Sequence, residues 1–401
     1  MRMTSLLQCV CPIIFAAAAV GAALLWPALL RICRLPQTLV SSDSKDPDAL
    51  RIGILGASFI ARAAIVNAAD KRKDVLVSAV AARDTQRAQT YAAKHSIPAF
   101  HGGSSAYSEL LAREDVDAVY IGLPTGLHLE WSLAALRAGK DVLLEKPAVL
   151  NAQEASELVQ EAKRTRRKVI EAAHYRYHPA AKRAKQLMSL TVADGGISPL
   201  RFVEVRFSML DPKAWLRSMK FWPWPDPMQE QILERERVKN FDRWWYCVDM
   251  LLWSTDALDA RVISATERRF SLTALLELRL STSLVINASM SMARDSLLDP
   301  FTWSLSAAGQ NSDGQASSIT LHNFGFPFLW HRLDLTRQGV AQSEQLYGLG
   351  ETTFEHQLGN FREALRSGEY KDTMLLTMRT VDRILELAGL GTLPSNGAGP
   401  T

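Results

Sequence analysis

An apolar run from Arg51 to Leu55 ends in Gly56-Ala57-Ser58-Phe59-Ile60-Ala61 and passes straight into helical spacing that continues to Ala69. A buried strand, a tight turn and a helix in that order are the opening unit of a parallel α/β sheet, and they constrain the fold more than any other feature of the chain. The alternation continues. Strands are predicted at Arg51 to Leu55, Val75 to Ala81, Asp117 to Gly122, Asp141 to Glu145 and Lys168 to Ala172, with a short one near Pro98. Helices are predicted between them at Phe59 to Ala69, Thr85 to His95, Leu127 to Ala138 and Ala152 to Arg164. Runs such as Val142-Leu143-Leu144 are continuously apolar, as strands buried on both faces must be. The fold class expected is an α/β N-terminal Rossmann domain, a doubly wound parallel sheet, over residues 51–173.

After residue 200 strands follow one another without helices between them: Arg201 to Met209, Arg261 to Glu267, Ser271 to Leu280, Thr282 to Met292 and Thr302 to Ala307. That succession predicts an open antiparallel sheet. With helices at about Phe241 to Trp253, Phe354 to Arg366 and Thr373 to Ala388 it makes an α+β C-terminal domain over residues 174–390, and the Gly, Pro and Ser-rich tail 391–401 is expected to be disordered. A length of 401 residues accommodates both domains. Lys and Arg number 46 against 42 Asp and Glu, a balance that argues against a nucleic-acid partner. No Cys or His pair has zinc-site spacing, so no metal is expected.

From Cys9 to Leu30 there are 22 residues without a charge. That length spans a bilayer as a helix and exceeds a typical signal-peptide core, so residues 1–34 are expected to be a membrane anchor, with a cleaved signal segment as the alternative. Residues 35–50 read as a linker. The basic residues Arg2, Arg31 and Arg34 flank the segment on both sides and leave its orientation open. A sequon, Asn287-Ala288-Ser289, favours a lumenal domain. Yet Cys247 is the single cysteine outside the N-terminal segment, which favours a reducing compartment and a domain facing the cytosol.

The turn after the first strand meets the fingerprint G-x-G-x-x-G/A at Gly56 and Ala61 and carries Ser58 at its centre. The glycine permits the tight turn, and the backbone around Ser58, Phe59 and Ile60 opens a helix whose unpaired N–H groups attract pyrophosphate. The second strand ends in Ala82-Arg83-Asp84. An acidic residue there grips ribose hydroxyls, whereas Arg83 suits a 2′-phosphate, so NADP is expected in preference to NAD. The fifth strand runs into Glu145-Lys146-Pro147, which brings Lys146 to the carboxyl edge where open α/β sheets bind ligands.

Together with Leu123-Pro124-Thr125-Gly126-Leu127-His128 and Glu171-Ala172-Ala173-His174-Tyr175-Arg176-Tyr177-His178-Pro179, these segments resemble the glucose-fructose oxidoreductase (Gfo/Idh/MocA) family. The similarity is strongest over residues 51 to about 190. It points within the family to fungal NADP-dependent D-xylose dehydrogenases and the dihydrodiol dehydrogenases. It implies an oxidoreductase moving hydride between a sugar or cyclic-diol hydroxyl and the nicotinamide. It further implies that Pro124, His128 and Glu145 belong to the cofactor site and that Lys146, Asp242 and Tyr246 form the catalytic group. Asp242 and Tyr246 are four apart on a predicted helix and share a face; Lys146 or Tyr246 is the base for the hydroxyl proton. Tyr175, Arg176 and His178, leaving the sixth strand at the same edge, are expected to bind substrate hydroxyls.

The chain departs from the family pattern around the aspartate. Val238-Lys239-Asn240-Phe241 stands where a glycine-rich stretch is usual, and Trp244-Trp245 follows. Those bulky residues leave open a second reading, a non-catalytic NADP-binding regulator or membrane-anchored scaffold of the same fold. An exposed open sheet face suits a homodimer.

Overall fold

The computed structural model describes residues 44–209, 243–268, 271–293, 301–310, 314–348 and 350–394. Six strands, β1 (Leu50–Leu55), β2 (Val75–Ala82), β3 (Ala99–Gly102), β4 (Ala118–Ile121), β5 (Asp141–Leu144) and β6 (Val169–Glu171), form one sheet in the order β3-β2-β1-β4-β5-β6. Every neighbouring pair in it is parallel. The strand order reverses between β1 and β4, and a crevice opens there beyond the carboxyl ends. Helix α1 starts at Phe59–Ala61, passes through a π turn at Arg62–Val66 and ends at Asn67–Asp70. The covering helices that follow are α2 (Thr85–Lys94), α3 (Ala106–Leu111), α4 (His128–Arg137) and α5 (Ala152–Thr165). A 3-10 turn at His174–Tyr177 leads into α6 (Pro179–Ser189).

The second sheet contains β7 (Leu200–Met209), then, after helix α7 over 243–255, β8 (Asp259–Arg268), β9 (Ser271–Arg279), β10 (Val285–Ala293), β11 (Phe301–Gln310), β12 (Ala316–His322), β13 (Arg332–Arg337) and β14 (Val340–Glu344). Its order is β14-β13-β12-β11-β7-β10-β9-β8. All its pairs are antiparallel except one: β7 and β10 run parallel. That corrects the wholly antiparallel expectation. β7 is inserted between β10 and β11, so the chain reaches β10 through the long connection containing α7 and the β8–β9 hairpin instead of a direct turn. Leu272, Ala274, Leu276 and Leu278 of β9 face the core while Thr273, Leu275 and Arg279 face out, so one side of the sheet stays open.

Helices α8 (Thr353–Ser367) and α9 (Met374–Leu387) close the chain. Sequence order assigns both to the second domain, yet Leu358, Phe361 and Ala364 of α8 join the core that contains Ile52 and Ile54 of β1. Arg362 of α8 also donates to the Asp74 carbonyl at 2.9 Å. The linker expectation for residues 35–50 is shortened as well: Asp46 N donates to Lys73 O at 3.0 Å, and Lys45 Nζ donates to Ala69 O at 2.7 Å, so the docked chain begins there. The anchor expected at residues 9–30 lies outside the described residues; among the described residues no helix is long and apolar enough to cross a membrane.

Candidate active site

Gly56 ends β1 with φ of +103°, and a Cβ there would lie 2.9 Å from the Gly122 carbonyl oxygen at the end of β4. Only glycine closes this turn. Ser58 then caps α1, its Oγ accepting from Ala61 N at 3.2 Å, and Phe59 at the helix start is 84% exposed, with Ile60 half-buried behind it. The turn borders a cleft of about 510 Å³ that also reaches Arg62, Arg87 and Tyr91.

Arg83 is exposed at the end of β2, and Asp84 spends its carboxylate capping α2, accepting from Arg87 N at 2.8 Å. With Arg62, Arg87 lines the cleft, and it donates to Ala57 O from Nε (2.9 Å) and Nη2 (2.7 Å). Sequence reasoning missed it. The signal was a second arginine in the first turn of the helix that Asp84 caps.

Pro124 is exposed at the start of a 3-10 turn, Thr125–Leu127. His128 is 1% exposed, with Nε2 2.8 Å from Leu123 O and Nδ1 3.0 and 3.2 Å from the carbonyls of Pro147 and Ala148. Burial lowers its basicity, the carbonyls opposing. It braces the turn after β4 against the segment after β5.

Glu145 is buried and accepts from Tyr120 OH at 2.7 Å and from Lys146 N at 3.1 Å. That grip orients the Lys146 turn, whose Lys146–Pro147 peptide is cis. Lys146 Nζ sits 4.8 Å from the centroid of the Tyr246 ring, an ammonium over an aromatic face. Tyr246 comes from α7 and is buried among Tyr175, Trp303 and Phe207, at ring separations of 5.5, 5.4 and 6.4 Å. Asp242, the expected partner one turn earlier, lies outside the described residues. Trp244 and Trp245 are buried core, and their indole Nε1 atoms have no hydrogen-bond partner.

His174 also faces this group and was not singled out from sequence. It packs on Phe354 (4.7 Å) and Phe326 (5.9 Å), and burial together with the Lys146 charge pushes its pKa down to about 3. A neutral imidazole therefore stands beside the lysine.

The three residues expected to bind substrate hydroxyls turn into the protein instead. Tyr175 OH and the Arg176 guanidinium both bond the carboxylate of Asp249 on α7, and Arg176 Nη2 donates to Thr373 Oγ1 at 2.9 Å. All three charged or phenolic groups of that cluster are fully buried. His178 caps α6, its Nδ1 accepting from Ala180 N at 3.2 Å, and its ring lies against His331 and His356 at 5.2 and 5.7 Å. Burial pushes its pKa down to about 3. No group of three His, Cys, Asp or Glu side chains among the described residues can hold a metal ion.

Residues 50–173 match the model of an oxidoreductase family described as having an NAD-binding Rossmann fold. A D-xylose 1-dehydrogenase (NADP(+)) from Haloferax volcanii is 36% identical over 140 residues, which are 35% of this chain and 42% of that protein. A trans-1,2-dihydrobenzene-1,2-diol dehydrogenase from Bos taurus is 38% identical over 160 residues, 40% of this chain and 46% of the relative. The chain thus spans less than half the length of these curated relatives. The fold is similar over greater length: a 3-ketoreductase from Actinomadura kijaniata, crystallised with NADP and TDP-benzene, superposes with a TM-score of 0.63 at 21% identity, covering 84% of this chain and 98% of that one. Gly56, Lys146 and the strands of the parallel sheet lie within the segment that matches, so it is residues 50–173 that are similar to the Gfo/Idh/MocA oxidoreductase family.

Proposed function

We propose that this chain is an NADP-dependent oxidoreductase that moves hydride between the nicotinamide and a hydroxyl-bearing carbon of a D-xylose-like sugar or a cyclic diol. The observation that carries the reading is the Lys146 ammonium 4.8 Å over the Tyr246 ring, at the edge of β5. The cofactor fits the residues present. Gly56 leaves no room for a side chain against Gly122, so bare backbone borders the cleft where a pyrophosphate would lie, and α1 opens there with its N-terminal amides. Arg62 and Arg87 line the same cleft and supply the positive charge that a 2′-phosphate needs and NAD would leave unused.

When bound, the nicotinamide supplies the hydride acceptor or donor. The chain itself handles the proton. As hydride leaves the carbinol carbon, the hydroxyl proton passes to whichever of Lys146 and Tyr246 is deprotonated, as neutral amine or phenolate, and in the reverse direction its protonated form returns it. His174, held neutral, offers a hydrogen bond without adding a second cation beside Lys146. Asp242, four residues before Tyr246 in the sequence, is the residue we assign to orienting the pair. The names of the xylose and dihydrodiol dehydrogenases support a CH–OH substrate. The test is a screen of aldoses and cyclic diols with NADP and the full chain in detergent, followed by nicotinamide absorbance. Turnover that vanishes in Lys146→Ala supports the reading; NADPH binding without turnover on any of them would favour the non-catalytic regulator.

We further propose that residues 9–30 anchor the chain in a membrane with its folded part facing the cytosol, and that two copies pair through the open sheet face. The uncharged run and the buried, unpaired Cys247 support the first. The exposed Phe202, Leu275 and Val285 support the second. Release from membranes by alkaline carbonate, or glycosylation at Asn287, would contradict the placement; a monomer in sedimentation equilibrium would contradict the pairing.

A further inference from the structure

Glu171 ends β6 directly behind the Lys146 turn. Its side chain is 1% exposed, Oε1 accepts from Ala148 N at 2.7 Å, and the buried Oε2 has no hydrogen-bond partner. From the opposite side His128 meets the carbonyls of Pro147 and Ala148. The segment after Lys146 is therefore gripped through the Ala148 N–H and through the carbonyls of Pro147 and Ala148.

The charged and titratable groups around Glu171 come from every neighbouring element: Asp249 from α7, Arg176 and Tyr177 from the 3-10 turn, and Tyr370 and Asp372 ahead of α9. Two carboxyls share one guanidinium here. Arg176 is hydrogen-bonded to Asp249 through both Nε and Nη2, so it acts on Glu171 only through its charge. Burial first, and then Asp249, push the Glu171 pKa up to about 8. The neutral acid carries its proton on Oε2, because Oε1 is the acceptor for Ala148. Once ionised, the group accepts more strongly at Ala148 N. A cavity of about 360 Å³ borders Arg176, Tyr177, Tyr370 and Thr373 on the far side of the cluster.

We infer that Glu171 is a positioning residue for Lys146: the proton it holds decides how tightly the turn over residues 146–148 is bound to β6. The inference rests on Lys146 and Tyr246 being the proton-transfer pair. Its test does not need the substrate.

Hydrogen exchange of the full chain, read by mass spectrometry on the peptide containing Ala148 and corrected for intrinsic base catalysis, should show protection rising about fivefold through a transition near pH 8, the gain from a neutral to a charge-assisted acceptor. Glu171→Gln, whose amide oxygen still accepts, should hold protection at the low-pH level throughout. Flat protection in the unsubstituted protein overturns the inference even if the variant fails to fold, and so does a transition that persists in the variant. The rate–pH profile of any nicotinamide-linked turnover should show the same transition and lose it in Glu171→Gln. A chain that shows the exchange transition yet binds no NADPH supports the Glu171 grip while removing the dehydrogenase reading.

Discussion

The ammonium of Lys146 rests 4.8 Å from the centre of the Tyr246 ring, although one residue follows β5 of the parallel sheet and the other comes from helix α7. Lys146 is supplied by the parallel sheet, held through Glu145 by Tyr120. Tyr246 is supplied by α7, locked through Asp249 to Tyr175 and Arg176. The site is thus an assembly of two halves, each fixed by a buried carboxylate.

Removing either half should cost the same catalytic step. Lys146→Met is expected to lower kcat by about 10²–10⁴ while changing NADPH affinity no more than a few-fold. Because the pair acts as a unit, Lys146→Met/Tyr246→Phe should be little worse than Lys146→Met alone. Additive losses in steady-state kinetics would show two independent roles.

Gly56→Ala should damage the cofactor turn without touching the second domain. The new methyl meets the Gly122 carbonyl and the residue keeps a left-handed backbone, which together cost about 1–3 kcal/mol. Thermal unfolding should report that loss, and NADPH binding should be abolished or weakened well beyond it.

Asp249→Asn strips Arg176 of its charged partner in a fully buried place. Breaking such a pair costs about 3–5 kcal/mol, which denaturant unfolding would measure directly. A change under about 1 kcal/mol would mean that water already reaches the guanidinium.

Acid should unfold the protein through its histidines. Burial pushes His174 and His178 down to about 3, below the usual value of 6.5, so the unfolded chain binds protons that the fold does not. The sign follows: their contribution is intact above about pH 6.5 and is lost as pH falls from there toward 3. Urea titrations across that interval should show falling stability, with a shallower slope in His178→Gln. A slope unchanged by the substitution would assign the proton uptake elsewhere.

What could be read from the chain was what is local. Gly56 and Lys146 each stand at the end of a continuous apolar strand, so their place at the carboxyl edge follows from a few neighbours. The alternating sheets were legible for the same reason, whereas β12 to β14, rich in Ser, Thr and charged residues, gave little apolar contrast. The His174 to His178 segment misled because residues adjacent in sequence were given one shared role; its 3-10 turn sends Tyr175 and Arg176 toward Asp249 and leaves His174 beside Lys146. Asp249 follows Tyr246 by three on α7, so the pairing of its carboxylate was hidden only by the distance in sequence to its partners. Helix α8 was assigned by order along the chain, while its apolar stripe answers to β1.

The most direct measurement is a titration of the full chain with NADPH and NADH, following tryptophan quenching, in the unsubstituted protein and in Arg87→Ala. The account predicts tighter NADPH than NADH binding and a loss of about tenfold in that preference when Arg87 is removed, the worth of one charge-assisted contact to a phosphate. Equal affinity for both nucleotides, or no binding of either, would contradict it.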